Sequence, residues 1–376
     1  MIEGLVFGWR TAVLTVAAAV ILPIAVGLWT SFYGRTAART MALLLLVLVG
    51  VFTPWLIGFA GAYDKWRWLT FLPVANPLWA PPLLYLYAHA LTRGRWPVRG
   101  WRHLIPGGVQ FTWQAVSFAL PLSLKNAWAD LSLPVTGPVF TLALTISFLV
   151  YGLATIRLLK AYRHALAQQR SDDARFALRW LNRAMVAAAV LAGLWTVYGL
   201  WDAIAPLGYR GLMGLYAGLA AITVYLAIES WRQTRVAYPT LEALTTVAPS
   251  PASPARDWGA QGRAWADTIR REGWAAEPEL SLTTLAAKLG TNTGYLSRAI
   301  NEGLGVNFST FVNDLRSEAV AKQMDQGATA SVLTLALEAG FSSKASFNRA
   351  FRNRFGKTPQ AYRAGAARSP QVSDRE

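Results

Sequence analysis

The stretch LALEAGFSSKASFNRAFRNRFG, residues 335–356, repeats the pattern of LAAKLGTNTGYLSRAINEGLG, residues 285–305. Ala286 precedes Gly290 by four positions, as Ala336 precedes Gly340, and Leu296 precedes Gly305 by nine, as Phe347 precedes Gly356. Apolar residues recur at steps of three and four through the region, and no alternating run of the strand type interrupts them, so it reads as all helix. A small residue at Ala286 or Ala336 lets one helix approach the next closely. Glycine at 290 or 340 eases the chain reversal that a positive φ requires. Each copy therefore reads as a helix-turn-helix.

The second helix of each copy divides into two faces. Phe347, Ala350, Phe351 and Phe355 form one apolar stripe, which leaves Lys344, Ala345, Asn348, Arg349 and Arg352 on the other side. In the earlier copy Leu296, Ala299 and Ile300 form the stripe, and Thr293, Tyr295, Ser297, Arg298 and Asn301 are more accessible. An anchored helix with such a face suits the major groove, where Arg pairs with guanine and Asn with adenine. The expected base-facing set is Thr293, Tyr295, Ser297, Arg298, Lys344, Asn348, Arg349 and Arg352. Arg354, Lys357 and Arg363 are expected at phosphates. Between the copies, FSTFVNDLRSEAVAKQM (308–324) reads as a connecting helix.

At these residues the region 263–366 resembles the DNA-binding domain of AraC/XylS-type transcriptional regulators. The resemblance rests on LAAKLGTNTGYLSRAINEGLG, on FVNDLRSEAV (311–320) and above all on ALEAGFSSKASFNRAFRNRFGKTPQAYR (336–363). It implies two helix-turn-helix motifs joined by a long helix, with recognition helices starting near Thr293 and Lys344 set into successive major-groove segments. The partners it implies are promoter DNA and, at the promoter, RNA polymerase. Gly294 departs from the pattern, standing where a larger side chain is common.

The rest of the chain has a different character. Of 376 residues, 54% are apolar and only 15% charged, with seventeen tryptophans, no cysteine and a formal net charge of +16. The absence of cysteine excludes disulfides, thiolate nucleophiles and cysteine metal sites. Seven windows are apolar enough for a bilayer core, which takes about 20 residues of helix: 11–31, 41–62, 70–91, 104–123, 136–156, 182–204 and 210–231. The amino terminus lacks the charged region and cleavage site of a signal peptide, so these segments are expected to stay. Arg35 and Arg39, then Arg93, Arg95, Arg99 and Arg102, then the basic run from Arg157 to Arg183 fall in alternate loops. The intervening loops carry Lys65, Arg67, Lys125 and Arg210 together with Asp64, Asp130 and Asp202. Positive charge collects on the cytoplasmic side, so the amino terminus is expected outside and everything after the seventh segment inside.

The expected fold is therefore all-α: a seven-transmembrane-helix bundle at residues 1–232, a flexible cytoplasmic linker at 233–262, the double helix-turn-helix domain at 263–366 and a disordered tail at 367–376. The linker contains TTVAPSPASPARDWGAQG, too polar and proline-rich to bury a core. The whole arrangement resembles a membrane-anchored subgroup of these regulators, in which PPLLYLYAHAL (81–91) followed by a basic loop has a counterpart. The expected place is a bacterial inner membrane, with the lipid bilayer as partner.

Chemistry is sparse. His89, His103 and His164 have no carboxylate spacing for a metal site, Ser117 with His89 lacks any flanking nucleophile motif, and no cofactor or enzymatic activity is expected. Trp79, Gln110, Trp113, Gln114 and Trp195 lie deep in the apolar windows. With the prolines of the third window, they are the candidate pocket for a small apolar or amphipathic signal. The bland account of the glutamines is hydrogen bonding between helices. Competing functions are a transporter or enzyme-like membrane domain carrying a regulatory module, and a membrane part that only anchors. Dimerisation is the open route for a signal, since tethering raises the local concentration of paired copies.

Overall fold

A computed structural model describes residues 5–204, 211–245 and 257–366. Arg210, the middle of the tether (246–256) and the tail (367–376) lie outside the described residues, as does the side chain of Asp202. The chain divides into two compact units, Met1–Leu159 with Leu178–Thr240, and Lys160–Ala177 with Leu241–Glu376.

The first unit is built from α1 (Trp9–Thr30), α2 (Arg35–Phe59), α3 (Ala80–Arg93), α4 (Ile105–Ala119), the apolar part of α5 (Leu122–Gln169), α6 (Arg179–Ile204) and α7 (Met213–Gln233). Its centre is α2, which packs against α1, α3 and α7. Four of these are long and apolar enough to cross a membrane outright: α1, α2, α5 and α7. A fifth such stretch, Asp173–Tyr198, overlaps α6. Leu131, Leu142, Leu149 and Leu153 on α5 and Val186, Val190 and Val197 on α6 are exposed. Rows of large exposed apolar side chains such as these mark a surface that meets protein or lipid.

The third and fourth windows form shorter helices than the hydropathy implies, of 14 and 15 residues. Proline is the cause. Pro73 and Pro77 keep residues 70–76 out of helix, and α3 starts only where Pro81 and Pro82 fall in its first turn, whose N–H groups have no helical partner to lose. The fifth window differs in the other direction. Pro134 and Pro138 lie inside a 48-residue helix, more than twice the window's length.

The second unit is helical throughout, with no β-strand among the described residues. It comprises α8 (Trp258–Glu272), α9 (Leu282–Lys288), α10 (Thr293–Arg298), α11 (Phe308–Asp325), α12 (Val332–Glu338), α13 (Lys344–Phe355) and α14 (Pro359–Ala366), together with residues 160–177. Two cores organise it, and α11 serves both. Phe308, Phe311, Val312 and Leu315 close the first over α8, α9 and α10, whereas Val320, Ala321 and Met324 close the second over α12 and α13.

Candidate nucleic-acid interface

Both helix-turn-helix motifs are delimited by side-chain caps. Ser281 and Ser331 accept from the N–H of Thr284 and Thr334, each at 3.1 Å, so SLTT and SVLT begin the two copies alike. Each cap satisfies a first-turn donor that helix geometry leaves orphaned. The reading helices are capped in the same way: Asn292 accepts from Tyr295 N at 2.8 Å, and Ser343 from Ser346 N at 3.2 Å. Gly290 at φ +63° and Gly340 at φ +92° make the turns between.

The two reading helices differ in how much of the expected face is free. On α13, Phe347 and Phe351 are buried, with Phe351 packed edge-on against Phe347 and Tyr362 and tilted against Phe355. Behind that anchor Lys344, Arg349 and Arg352 are exposed and Asn348 is half-buried. On α10 the expected readers Thr293, Tyr295, Ser297 and Arg298 are half-buried, and the last three are engaged within the unit. The Tyr295 ring packs on Trp258, Ser297 accepts from Asn301 at 3.0 Å, and Arg298 lies 3.7 Å from Glu302. Arg298 on α10 thus has an acidic neighbour, whereas residues 341–366 carry six basic side chains and no acidic one.

Comparison with known proteins gives the same domain. Residues 285–365 match the helix-turn-helix domain family. An uncharacterized HTH-type transcriptional regulator of Staphylococcus aureus strain MSSA476 is 40% identical over 86 residues, 23% of this chain and 11% of that protein. The same figures hold for a counterpart in strain N315. The probable transcription factor PqrA of Proteus vulgaris is 33% identical over 84 residues, 22% of this chain and 68% of that protein. This chain belongs to the AraC-type helix-turn-helix regulators. It spans only 11% of the length of the S. aureus relatives, and no solved structure matches it.

In this regulator the three residues expected at phosphates have unlike surroundings. Lys357 is exposed. Arg354 is held by Glu318 of α11 at 2.6 Å, and Arg363 donates to the Ala328 carbonyl. Glu318 also receives Arg270 of α8 at 3.1 Å, so one carboxylate ties elements of both cores. Beside it, burial pushes the Asp314 carboxyl above its ordinary range, with Arg354 opposing and Glu318 adding to the shift.

Sequence reasoning passed over Arg316, which looks like a surface residue of the connecting helix. Its side chain is buried and donates to the Ala275 carbonyl at 2.7 Å and the Glu277 carbonyl at 2.5 Å. Desolvation pulls the guanidinium down to about 10, with Asp172 opposing that shift, and it stays charged at neutral pH. The position was legible only through the helical period, which sets it four residues after Val312 and four before Val320.

The five residues expected to form a ligand pocket are not brought together as a pocket. Gln110 accepts from Leu78 N at 3.2 Å, Gln114 donates to the Ala75 carbonyl at 2.8 Å and the Trp79 indole donates to the Leu104 carbonyl at 2.9 Å. Trp113 packs edge-on between Phe71 and Phe140. These side chains fasten the proline-rich segment before α3 to α4 and its lead-in, and the two glutamines satisfy the backbone groups of Ala75 and Leu78 that have no helical partner. Trp195 lies apart from them, lining a cavity of about 480 Å³ among α2, α3, α5, α6 and α7. That cavity is walled chiefly by Leu, Val and Ala, with Thr141, Thr145, Tyr151, Thr155, Asn182 and Thr196 among its polar-bearing side chains. Among the described residues no cluster of His, Asp or Glu could hold a metal ion.

Proposed function

We propose that this chain is a membrane-tethered, sequence-specific regulator of transcription, in which the helical bundle senses a signal and the carboxyl-terminal domain reads promoter DNA in the major groove. The carrying observation is the exposed row Lys344, Arg349 and Arg352 on α13, backed by Phe347 and Phe351 at full burial. A rigid helix with a cationic, hydrogen-bonding face is what base readout needs. The engaged side chains of α10 make the second motif the principal reader. Lys357 contributes phosphate attraction directly, whereas Arg354 and Arg363 act first as struts. RNA polymerase at the promoter and a second copy of the chain on paired sites complete the proposed partners.

Membrane tethering is supported by the apolar helices with lipid-like exposure. Seven crossings gain support from two lengths. The 3₁₀ turn Pro77–Trp79 leads directly into α3, and Gly100–Leu104 leads directly into α4. At about 2.0 Å per 3₁₀ residue and 1.5 Å per α residue, these rods measure about 27 and 32 Å, close to the ~30 Å hydrocarbon core. The turn between them, residues 94–99, carries Arg95 and Arg99, and Arg93 and Arg102 lie at the adjoining rod ends, as at a cytoplasmic turn. The amino terminus is then outside a bacterial inner membrane and the DNA-binding domain inside, with the membrane part at 1–232, the tether at 233–262 and the reader at 263–366. The apolar cavity around Trp195 favours a sensing part over a mere anchor, and its ligand class is a small apolar or amphipathic molecule.

Genome-wide DNA occupancy of the intact chain tests the proposal. Discrete promoter sites lost on Arg349→Ala with Arg352→Ala support it. Occupancy indistinguishable from background, with the protein present in the membrane, refutes it.

A further inference from the structure

Residues 160–177, which lie in the chain between the apolar part of α5 and α6, belong to the same compact unit as the DNA-binding domain. Their contact with it is a built surface. Arg170 bridges Ser281 in antiparallel fashion, while Ser171 donates to the Leu280 carbonyl from its N–H at 3.1 Å and from its hydroxyl at 2.9 Å. The Ser171 hydroxyl in turn accepts from the buried Arg316 guanidinium at 3.1 Å. Asp173 accepts from Ser309 at 2.9 Å, and Arg175 pairs with Glu279 at 3.1 Å. Asp172, 4% exposed, is held bidentately by Arg170 at 2.7 and 3.0 Å, which shapes the segment and neutralises its buried charge.

The placement of these partners matters more than their number. Ser281 caps α9 and Ser309 sits in the first turn of α11, so the segment grips the starting ends of the two helices that flank α10 in sequence. The partners named above lie on neither α10 nor α13, so these bonds leave the exposed face of α13 uncovered. A contact that grips the frame and spares the faces positions the readers; it does not block them. Two readers bind successive groove segments only while their mutual pose is kept.

Resting on the regulator function proposed above, we propose that the segment 170–175 is a latch through which the membrane part governs DNA binding: docked, it holds the first motif in its DNA-competent pose, and displaced, it releases that pose. The surface made by Leu280, Glu279, Ser309 and Arg316 is its receptor, and the occupant is this chain's own loop. Covalent continuity with α5 and α6 lets a rearrangement of those helices pull the latch directly, without passing through the tether at 246–256.

The test uses the full chain in native membranes and exploits its lack of cysteine. Asp173→Cys with Ser309→Cys is oxidised and crosslinking scored by mass spectrometry. Occupancy is then read at the strongest genomic sites of the unmodified chain. The expected results are crosslinking in most molecules, occupancy lowered at least fivefold by Ser171→Pro, which removes the N–H donor, and recovery to within twofold when Ser171→Pro is combined with the oxidised cysteine pair. Recovery separates a displaced latch from a misfolded domain. Failure to crosslink, Ser171→Pro occupancy within twofold of the unmodified chain, or loss without recovery overturns the latch. If the unmodified chain occupies no sites, the regulator function itself fails and the latch falls with it.

Discussion

Gly290 and Gly340 occupy equivalent turns of the repeat, yet alanine should be far costlier at the second. Both have positive φ, +63° and +92°, which a side chain resists by about 1–2 kcal/mol. A Cβ at Gly290 meets no atom within 4 Å among the described residues. At Gly340 it would fall 2.3 Å from the Ala276 carbonyl oxygen and 2.7 Å from its carbon. Those are backbone atoms in the turn Trp274–Ala276, so relief requires the two motifs to separate, an overpacking cost of about 1–3 kcal/mol more. Gly290→Ala should therefore cost about 1–2 kcal/mol and Gly340→Ala about 2–5. At 1.4 kcal/mol per tenfold, amide protection around the turn should fall roughly 5- to 30-fold in the first variant and roughly 30- to 4,000-fold in the second. Hydrogen exchange of the intact chain in lipid, read by mass spectrometry over residues 282–298 and 332–355, is the assay. Equal losses at the two glycines, or a larger loss at Gly290, would refute the close approach of the second turn to Ala276.

Further outcomes follow from other named groups. Arg349→Ala should weaken binding to the best site by about 1–3 kcal/mol and relax sequence preference, whereas Arg298→Ala should do less than half as much; fluorescence anisotropy on matched and scrambled duplexes separates them. Lys357→Ala should weaken binding across sequences alike and reduce the slope of log affinity against log salt by about 0.9. Asp314→Asn should raise thermal stability at neutral pH. A carboxyl whose folded pKa is raised binds its proton more tightly in the native state, so stability falls as pH climbs through that range, and the variant's gain should vanish at acid pH, where both forms are neutral. Arg95→Cys should be labelled by an impermeant maleimide only from the cytoplasmic face; labelling from outside would contradict the proposed orientation.

The helix-turn-helix repeat was legible because its determinants are local: Ala286 and Gly290, Ala336 and Gly340, and the Phe347, Ala350, Phe351, Phe355 stripe all act within a turn or two of themselves. The serine caps at 281, 331 and 343 were equally local and went unread. Apolar windows located the bundle, but hydropathy is blind to backbone hydrogen bonds. It therefore ran the third window through Pro73 and Pro77, and it took Trp79, Gln110 and Gln114 for pocket walls when they serve as fasteners for the proline-broken segment. What the chain hides most completely is the contact of Ser171 with Leu280 and Arg316. More than a hundred residues separate the two sides, all the bonding groups are polar, and no periodicity marks them. Arg316 became distinctive only once its carbonyl and hydroxyl partners were in place around it.

The docking of Ser171 against Leu280 also bears on the order in which the molecule is made. The ribosome delivers the loop more than a hundred residues before its receptor, and the stretch between them contains α6 and α7. The carboxyl-terminal unit can thus close on its loop only after both of those helices have been synthesised. On the proposed topology, a nascent chain whose loop had been carried to the wrong face of a bilayer would finish translation with nothing for Leu280, Ser309 and Arg316 to close upon. On the latch proposed above, correct insertion would be a licence for DNA binding, and mistargeted copies would be silent without any separate surveillance.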